Sequence, residues 1–226
     1  MKIGVLLSGC GVYDGAEIQE SVFALLAIDQ LGHEAVCIGI DKNQYHVVNH
    51  LTGQEVDEKR NMMVEAARIA RGNITNISDI SPSKIDALVI PGGFGSAKNF
   101  TTWAFEGPNS QILPEVKLLL VNLLNVGKPI VALCVSPVVV AKAFEDINLE
   151  GTLTLGSTKE ASPYNIAEFH EGIQSRGFQF EEKTLTEISI DSKNRIISAP
   201  CYMMDGSVSS IYKNVYQAIA AIEELN

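Results

Sequence analysis

The sequence predicts an α/β fold: a three-layer sandwich with a mainly parallel sheet covered by helices. Three observations predict it. Short apolar runs alternate with helix-period segments from end to end. The runs are continuous rather than alternating, as strands buried on both faces require. No linker, repeat or low-complexity stretch divides the 226 residues, so a single domain over 1–226 is expected, long enough for a sizeable core.

The elements follow in order. Lys2 to Ser8 reads as the first strand. Ala16 to Leu31 is a helix with Ile18, Val22, Leu25 and Leu26 at near-helical spacing. Glu34 to Ile40 is the second strand, and Tyr45 to Asn49 with Gln54 to Val56 flank Leu51-Thr52-Gly53 as a small hairpin. Asn61 to Ala70 is helical and stops near Gly72. Ala87 to Pro91 is a strand that runs into Gly92-Gly93-Phe94-Gly95, and Pro114 to Asn125 is a helix stopped by Gly127. Lys128 to Leu133 supplies another strand, with a helix opening at Pro137. Leu153 to Leu155 is a short strand, and Tyr164 to Arg176 a helix ended by Gly177. Glu187 to Ile190 and Arg195 to Ser198 flank the turn Asp191-Ser192-Lys193-Asn194, and Ser207 to Leu225 is the last helix.

Bulk properties exclude several function classes. The net charge of -10 argues against nucleic acid or an anionic membrane as partner. No run approaches the apolar length of a membrane span, and Ile3 to Leu7 is too short for a secretory signal. Cys10, Cys37, Cys134 and Cys201 lie far apart, with no Cys/His spacing that suits a metal. Reduced thiols and a cytoplasmic location are the expectation.

In parallel sheets, ligands bind beyond the carboxyl ends of the strands. Three loops meet that condition. The sharpest is the strand-to-helix turn at Cys134, where a strained backbone would push the thiol out of the sheet top. Ala132 and Ser136 are small enough for the fold-back, Ser136 is placed to cap the helix, and the helix N-terminus favours a thiolate. The second is the glycine loop, whose Gly92 and Gly93 amides, with the Val135 N–H, are placed to bind an oxyanion. The third is Ser8 to Glu17. It imitates a dinucleotide loop, but the third glycine falls at 15, one residue late, and Asp14 in its place would repel a pyrophosphate. Glu17 opens the first helix; beside a thiolate it would be protonated and able to shuttle a proton. Cys10, Asn61, Lys98 and Asn99 are weaker pocket candidates, with His50 and Arg60. His170 reads as a surface residue.

Together, Ser8 to Ile18, Asn49 to Gly53, Arg60-Asn61, Ala66 to Gly72, Pro91 to Asn99, Gly127 to Pro129, the Cys134 turn and Ala199 to Met203 resemble the DJ-1/PfpI superfamily. That is the class I glutamine amidotransferase-like fold with a flavodoxin-like sheet. The closest branch is that of the isoprenoid biosynthesis glyoxalase ElbB, or ES1. The resemblance spans essentially the whole chain. It implies a homodimer with Cys134 as nucleophile and Glu17 as its acid partner. The implied activity is a weak glyoxalase that turns 2-oxoaldehydes such as glyoxal and methylglyoxal into 2-hydroxy acids without metal or other cofactor. The mean hydropathy of +0.13 agrees with an associating protein. Two departures stand out. Val135 follows the cysteine where many relatives carry histidine, and the distal His-x-Glu of amidotransferases is absent. A non-catalytic redox sensor built on the same thiol is the alternative.

Overall fold

The computed structural model describes residues 1–147 and 149–225. The strands are β1 (Lys2–Leu6), β2 (Glu34–Gly39), β3 (Val47–Asn49), β4 (Gln54–Val56), β5 (Thr75–Asn76), β6 (Ala87–Ile90), β7 (Ile130–Leu133), β8 (Gly151–Leu153), β9 (Phe178–Phe180), β10 (Ser189–Asp191) and β11 (Ile196–Ala199). The α-helices are α1 (Ile18–Gln30), α2 (Met62–Ile69), α3 (Trp103–Glu106), α4 (Pro114–Asn125), α5 (Pro137–Phe144), α6 (Ile166–Gln174) and α7 (Val208–Ala220). Seven strands form one sheet in the order β10-β11-β7-β6-β1-β2-β5, parallel except for β10. Strands β6 and β7 are buried at every position, as the continuous Ala87–Ile90 and Ile130–Leu133 runs require. Helices flank the sheet; α1 packs on α7, and α4 on α5.

The register fixes where chemistry can occur. Ile90 pairs with Ala132, and Leu133 with Ala199, so β6, β7 and β11 end side by side. The glycine loop, Cys134 and Cys201 therefore emerge together. Cys134 and Cys201 have φ of 57° and 46°. Each left-handed non-glycine residue costs about 1–3 kcal/mol, and such strain gathers at functional sites.

The structure departs from the sequence reading at a few places. The buried stripe of α1 is Glu20, Ala24, Ala27 and Ile28, whereas Ile18, Val22 and Leu26 are exposed. Strand β8 ends at Leu153 and pairs with β9 outside the main sheet, because the Thr154 N–H turns to the Ser198 Oγ. Five residues after the glycine loop, Ser96–Phe100, wind into a π-helical turn. The fold-back demands glycine at 93: φ is +90°, and a Cβ there would sit 2.4 Å from the Glu17 N and the Gly15 O.

Candidate active site

Strand β7 delivers Cys134 directly from its last buried residue, Leu133. The Cys134 N–H still donates to the Ala199 O at 2.9 Å, so the residue is anchored to the sheet while its side chain leaves it. Ser136 does not cap α5 through its side chain. Its hydroxyl donates to the Pro91 O at 2.7 Å and the Ser96 Oγ at 3.0 Å, tying the cysteine turn to the glycine loop. The backbone amides of Gly93 and Val135 lie near the Cys134 sulfur and favour its thiolate. Gly92 is indispensable in the same way, since a Cβ there would lie 2.3 Å from the Cys134 Cβ.

The acid beside the thiol is Glu20, one helical turn beyond the expected Glu17. Glu20 is fully buried. Its Oε2 accepts from the Gly92 N–H at 2.9 Å, which takes that amide out of the expected oxyanion site, and its Oε1 accepts from the Tyr202 N–H at 3.1 Å; its carboxyl and the Cys134 sulfur both lie against Gly92. Burial, then the neighbouring Glu17 charge, pushes its pKa up to about 8, so at neutral pH Glu20 holds a proton. Burial also drives the Cys134 thiol upward, followed by the Glu20 charge, while the Gly93 and Val135 amides oppose the rise. With Glu20 protonated, the repulsive part of that rise disappears.

Glu17 takes a different place. It is the N-cap of α1, and its Oε2 accepts from the Glu20 N–H at 2.6 Å. Burial raises its pKa against the pull of the backbone amides. It lines the cavity over Cys134. The two acids thus divide: Glu20 lies behind the sulfur and Glu17 faces the space in front.

That cavity is small, about 20 Å³. Val12, Phe94, Tyr164, Phe169 and Tyr202 wall it around Glu17 and Cys134. Burial, then Cys134, pushes the Tyr164 hydroxyl up to about 12, so it remains a donor. Sequence reasoning missed Glu20, Tyr164, Phe169 and Tyr202. Glu20 had one signal, an acid at a core position i, i+4, i+7, i+8 with Ala24, Ala27 and Ile28. A wider cleft of about 670 Å³ beside Tyr212 and Tyr216 contains no cysteine, acid or histidine.

None of the weaker candidates lines the cavity. The Asn61 Oδ1 accepts from the Val64 N–H at 3.0 Å as the N-cap of α2, and its Nδ2 donates to Asp41. Lys98 donates to the Tyr13 O at 2.8 Å, and Asn99 to the Ser8 and Asp14 carbonyls, each at 2.8 Å. Both hold the first loop in place. Burial lowers the Lys98 pKa and raises that of Cys10. His50 packs against Tyr13 with the rings tilted by 32°, and Arg60 pairs with Glu58 at 2.8 Å. His170 is not a surface residue: it is buried, with its ring 3.8 Å from that of Phe180, and burial lowers its pKa. Among the described residues no group of His, Cys, Asp and Glu is arranged to hold a metal ion, and no helix is long and apolar enough to cross a membrane.

Comparison with known proteins places this geometry among relatives. No family model matches the chain. The human protein described as glutamine amidotransferase-like class 1 domain-containing protein 3, mitochondrial, is 34% identical over 99% of this chain and 83% of its own length. The rat ES1 protein homolog, mitochondrial, is 34% identical over 99% of this chain and 84% of its own length. A crystal structure of an isoprenoid biosynthesis protein with an amidotransferase-like domain from Ehrlichia chaffeensis superposes with a TM-score of 0.89 at 35% identity, covering all of both chains. Drosophila melanogaster DJ-1beta shares the fold, with a TM-score of 0.56 at 16% identity over 99% of this chain and 89% of its own. The expectation of a cytoplasmic protein is overturned here, because the curated relatives are mitochondrial. Reduced thiols, on which that expectation rested, fit any reducing compartment and single out none.

Proposed function

The chain belongs to the family of the ES1 and glutamine amidotransferase-like class 1 proteins and has the DJ-1 fold, and we propose that it is a cofactor-independent glyoxalase working through Cys134. The observation that carries this reading is the setting of the sulfur: the Glu20 carboxyl lies with it against Gly92, away from the cavity, and Glu17, Gly93, Phe94 and Val135 line the open side.

The chemistry balances with these groups alone. The sulfur adds to the aldehyde carbon of methylglyoxal, and the thiol proton, relayed by the Glu17 carboxylate on the open side, ends on the former aldehyde oxygen. The product is a hemithioacetal. Glu17, as carboxylate, takes the proton from that carbon to give an enediol and returns one to the adjacent carbon. The result is a lactoyl thioester on Cys134. Water cleaves it to lactate and the free thiol. The Gly93 and Val135 amides stabilise the oxyanion in the first and last steps. Val135 removes a side chain with which relatives have a second proton relay, so turnover is slow. Amidotransfer is disfavoured, because the distal His-x-Glu is absent.

The test is lactate formation from methylglyoxal by the reduced protein with no metal or thiol added. Slow but saturable turnover is expected. Glu17→Gln is expected to lower kcat by roughly 10²–10³-fold. No lactate from intact protein would reject the glyoxalase and hand the thiol to the redox-sensing role.

We also propose that the chain is a homodimer. The exposed row Ile18, Val22 and Leu26 on one face of α1 supports this. Light scattering at micromolar concentration should give about twice the chain mass, and Val22→Lys should return it to one. A monomer at every concentration would refute the dimer and leave the site untouched.

A further inference from the structure

The space over Cys134 is too small for the substrates just proposed. About 20 Å³ suffices for roughly one water, whereas methylglyoxal has five heavy atoms. Immediately beside it lies a second cavity of about 290 Å³. Phe94, Val135 and Phe169 line both, so these side chains are the partition between them.

The partition has one aromatic held by ring and cation contacts, Phe94, and one packed on the core without them, Phe169. Phe94 is held edge-on by Tyr164 at 5.8 Å between ring centroids, and the Lys98 ammonium lies 5.1 Å from its ring centre. Val135 is β-branched and follows the cysteine turn directly, so it has little freedom. Phe169, on α6, has no ring partner among the described residues and is half-buried. Phe169 is therefore the side chain of the partition with the fewest specific contacts.

The lining of the larger cavity defines what it accepts. Trp103, Phe105, Ala97, Ala104 and Pro108 make its walls apolar and largely aromatic. Its single charged residue is Glu168, and the single charged residue of the smaller cavity is Glu17. No lysine or arginine lines either, so a carboxylate or phosphate on the ligand would find no opposite charge and would be repelled by Glu168 and Glu17.

We propose that Cys134 acts on electrophiles whose substituent is uncharged and apolar, seated between Trp103 and Phe105, with Phe169 as the gate. Resting on the glyoxalase reading, the substrate class is then aryl- and longer alkyl-substituted 2-oxoaldehydes in preference to methylglyoxal, with carboxylated or phosphorylated analogues rejected.

The test separates this claim from the reaction. Second-order rates of Cys134 alkylation are measured by peptide mass for iodoacetamide, N-benzyliodoacetamide and iodoacetate, each divided by the rate with glutathione. The benzyl reagent is expected to exceed iodoacetamide by about tenfold or more, the rate equivalent of burying an aryl ring. Iodoacetate is expected to fall below iodoacetamide by a similar factor. Ala104→Trp fills the larger cavity from an exposed position. It should cancel the benzyl advantage, bringing the ratio of benzyl to iodoacetamide rates to about one, with circular dichroism confirming the fold. Phenylglyoxal should then show a higher kcat/KM than methylglyoxal in the unmodified chain. An absent benzyl preference, or one that Ala104→Trp leaves intact, overturns the proposal even if methylglyoxal is turned over. A benzyl preference cancelled by Ala104→Trp, with no aldehyde turned over, upholds the cavity assignment and removes the glyoxalase.

Discussion

Replacing Cys134 by alanine should bring lactate formation from methylglyoxal down to the uncatalysed background, a loss of at least about 10³-fold. Every later step depends on the carbon–sulfur bond: without it there is no hemithioacetal whose proton Glu17 can move, and no thioester for water to cleave. The fold should survive. Alanine has a Cβ like cysteine, so the left-handed φ of 57° carries the same strain in both. Loss of the buried sulfur leaves a small void costing about 1 kcal/mol. Thermal unfolding measured alongside the assay should therefore show a midpoint close to that of the parent. Turnover that persists in the alanine variant would rule out covalent catalysis by this thiol.

Glu20→Gln should change how stability depends on pH. The Glu20 pKa of about 8 lies well above that of an exposed carboxyl. Between those two values the folded chain binds a proton that the unfolded chain does not. The stabilisation is therefore complete below the unfolded pKa and is lost as pH rises through about 8, a change on the order of a few kcal/mol. Glutamine has no such proton, so denaturant melts at pH 5, 7 and 9 should show a flatter profile in the variant. Glutamine also offers one carbonyl oxygen where Glu20 accepts from two amides, Gly92 and Tyr202. One of those N–H groups then faces an N–H₂ group, and the variant should be less stable at pH 5 by about 1–3 kcal/mol. An unchanged pH profile would mean that Glu20 is ionised in the native protein.

Much of the scaffold was legible because its signals are local. Helix α4 begins and ends where Pro114 and Gly127 predict, and the Gln54–Val56 hairpin strand is found at the expected residues. The Cys134 turn was legible for the same reason: a buried run, a three-residue turn and Pro137 follow one another directly. The choice of acid was not. First-turn logic favours Glu17, and α1 hides its inner face because Ile18, Val22 and Leu26 look outward while two alanines look in. Only the packing of α1 on α7 and the sheet reveals that Glu20 points inward. Tyr164 and Tyr202 reach the cavity from segments far along the chain, and no local pattern links them to Cys134. Strands β5 and β9, of two and three residues, are too short for any periodicity to register.

The two borders of the main sheet are also its shortest strands: β5 has two residues, and β10 has three and runs against its neighbour. A ladder that brief gives an incoming chain almost no unpaired backbone to zip onto, so edge-to-edge polymerisation is closed at both ends. Molecules of this protein that meet at high concentration must then do so through helix surfaces, and a net charge of -10 keeps the rest of those surfaces apart. Surface substitutions on α1 can consequently be made without opening a route to fibres through the main sheet.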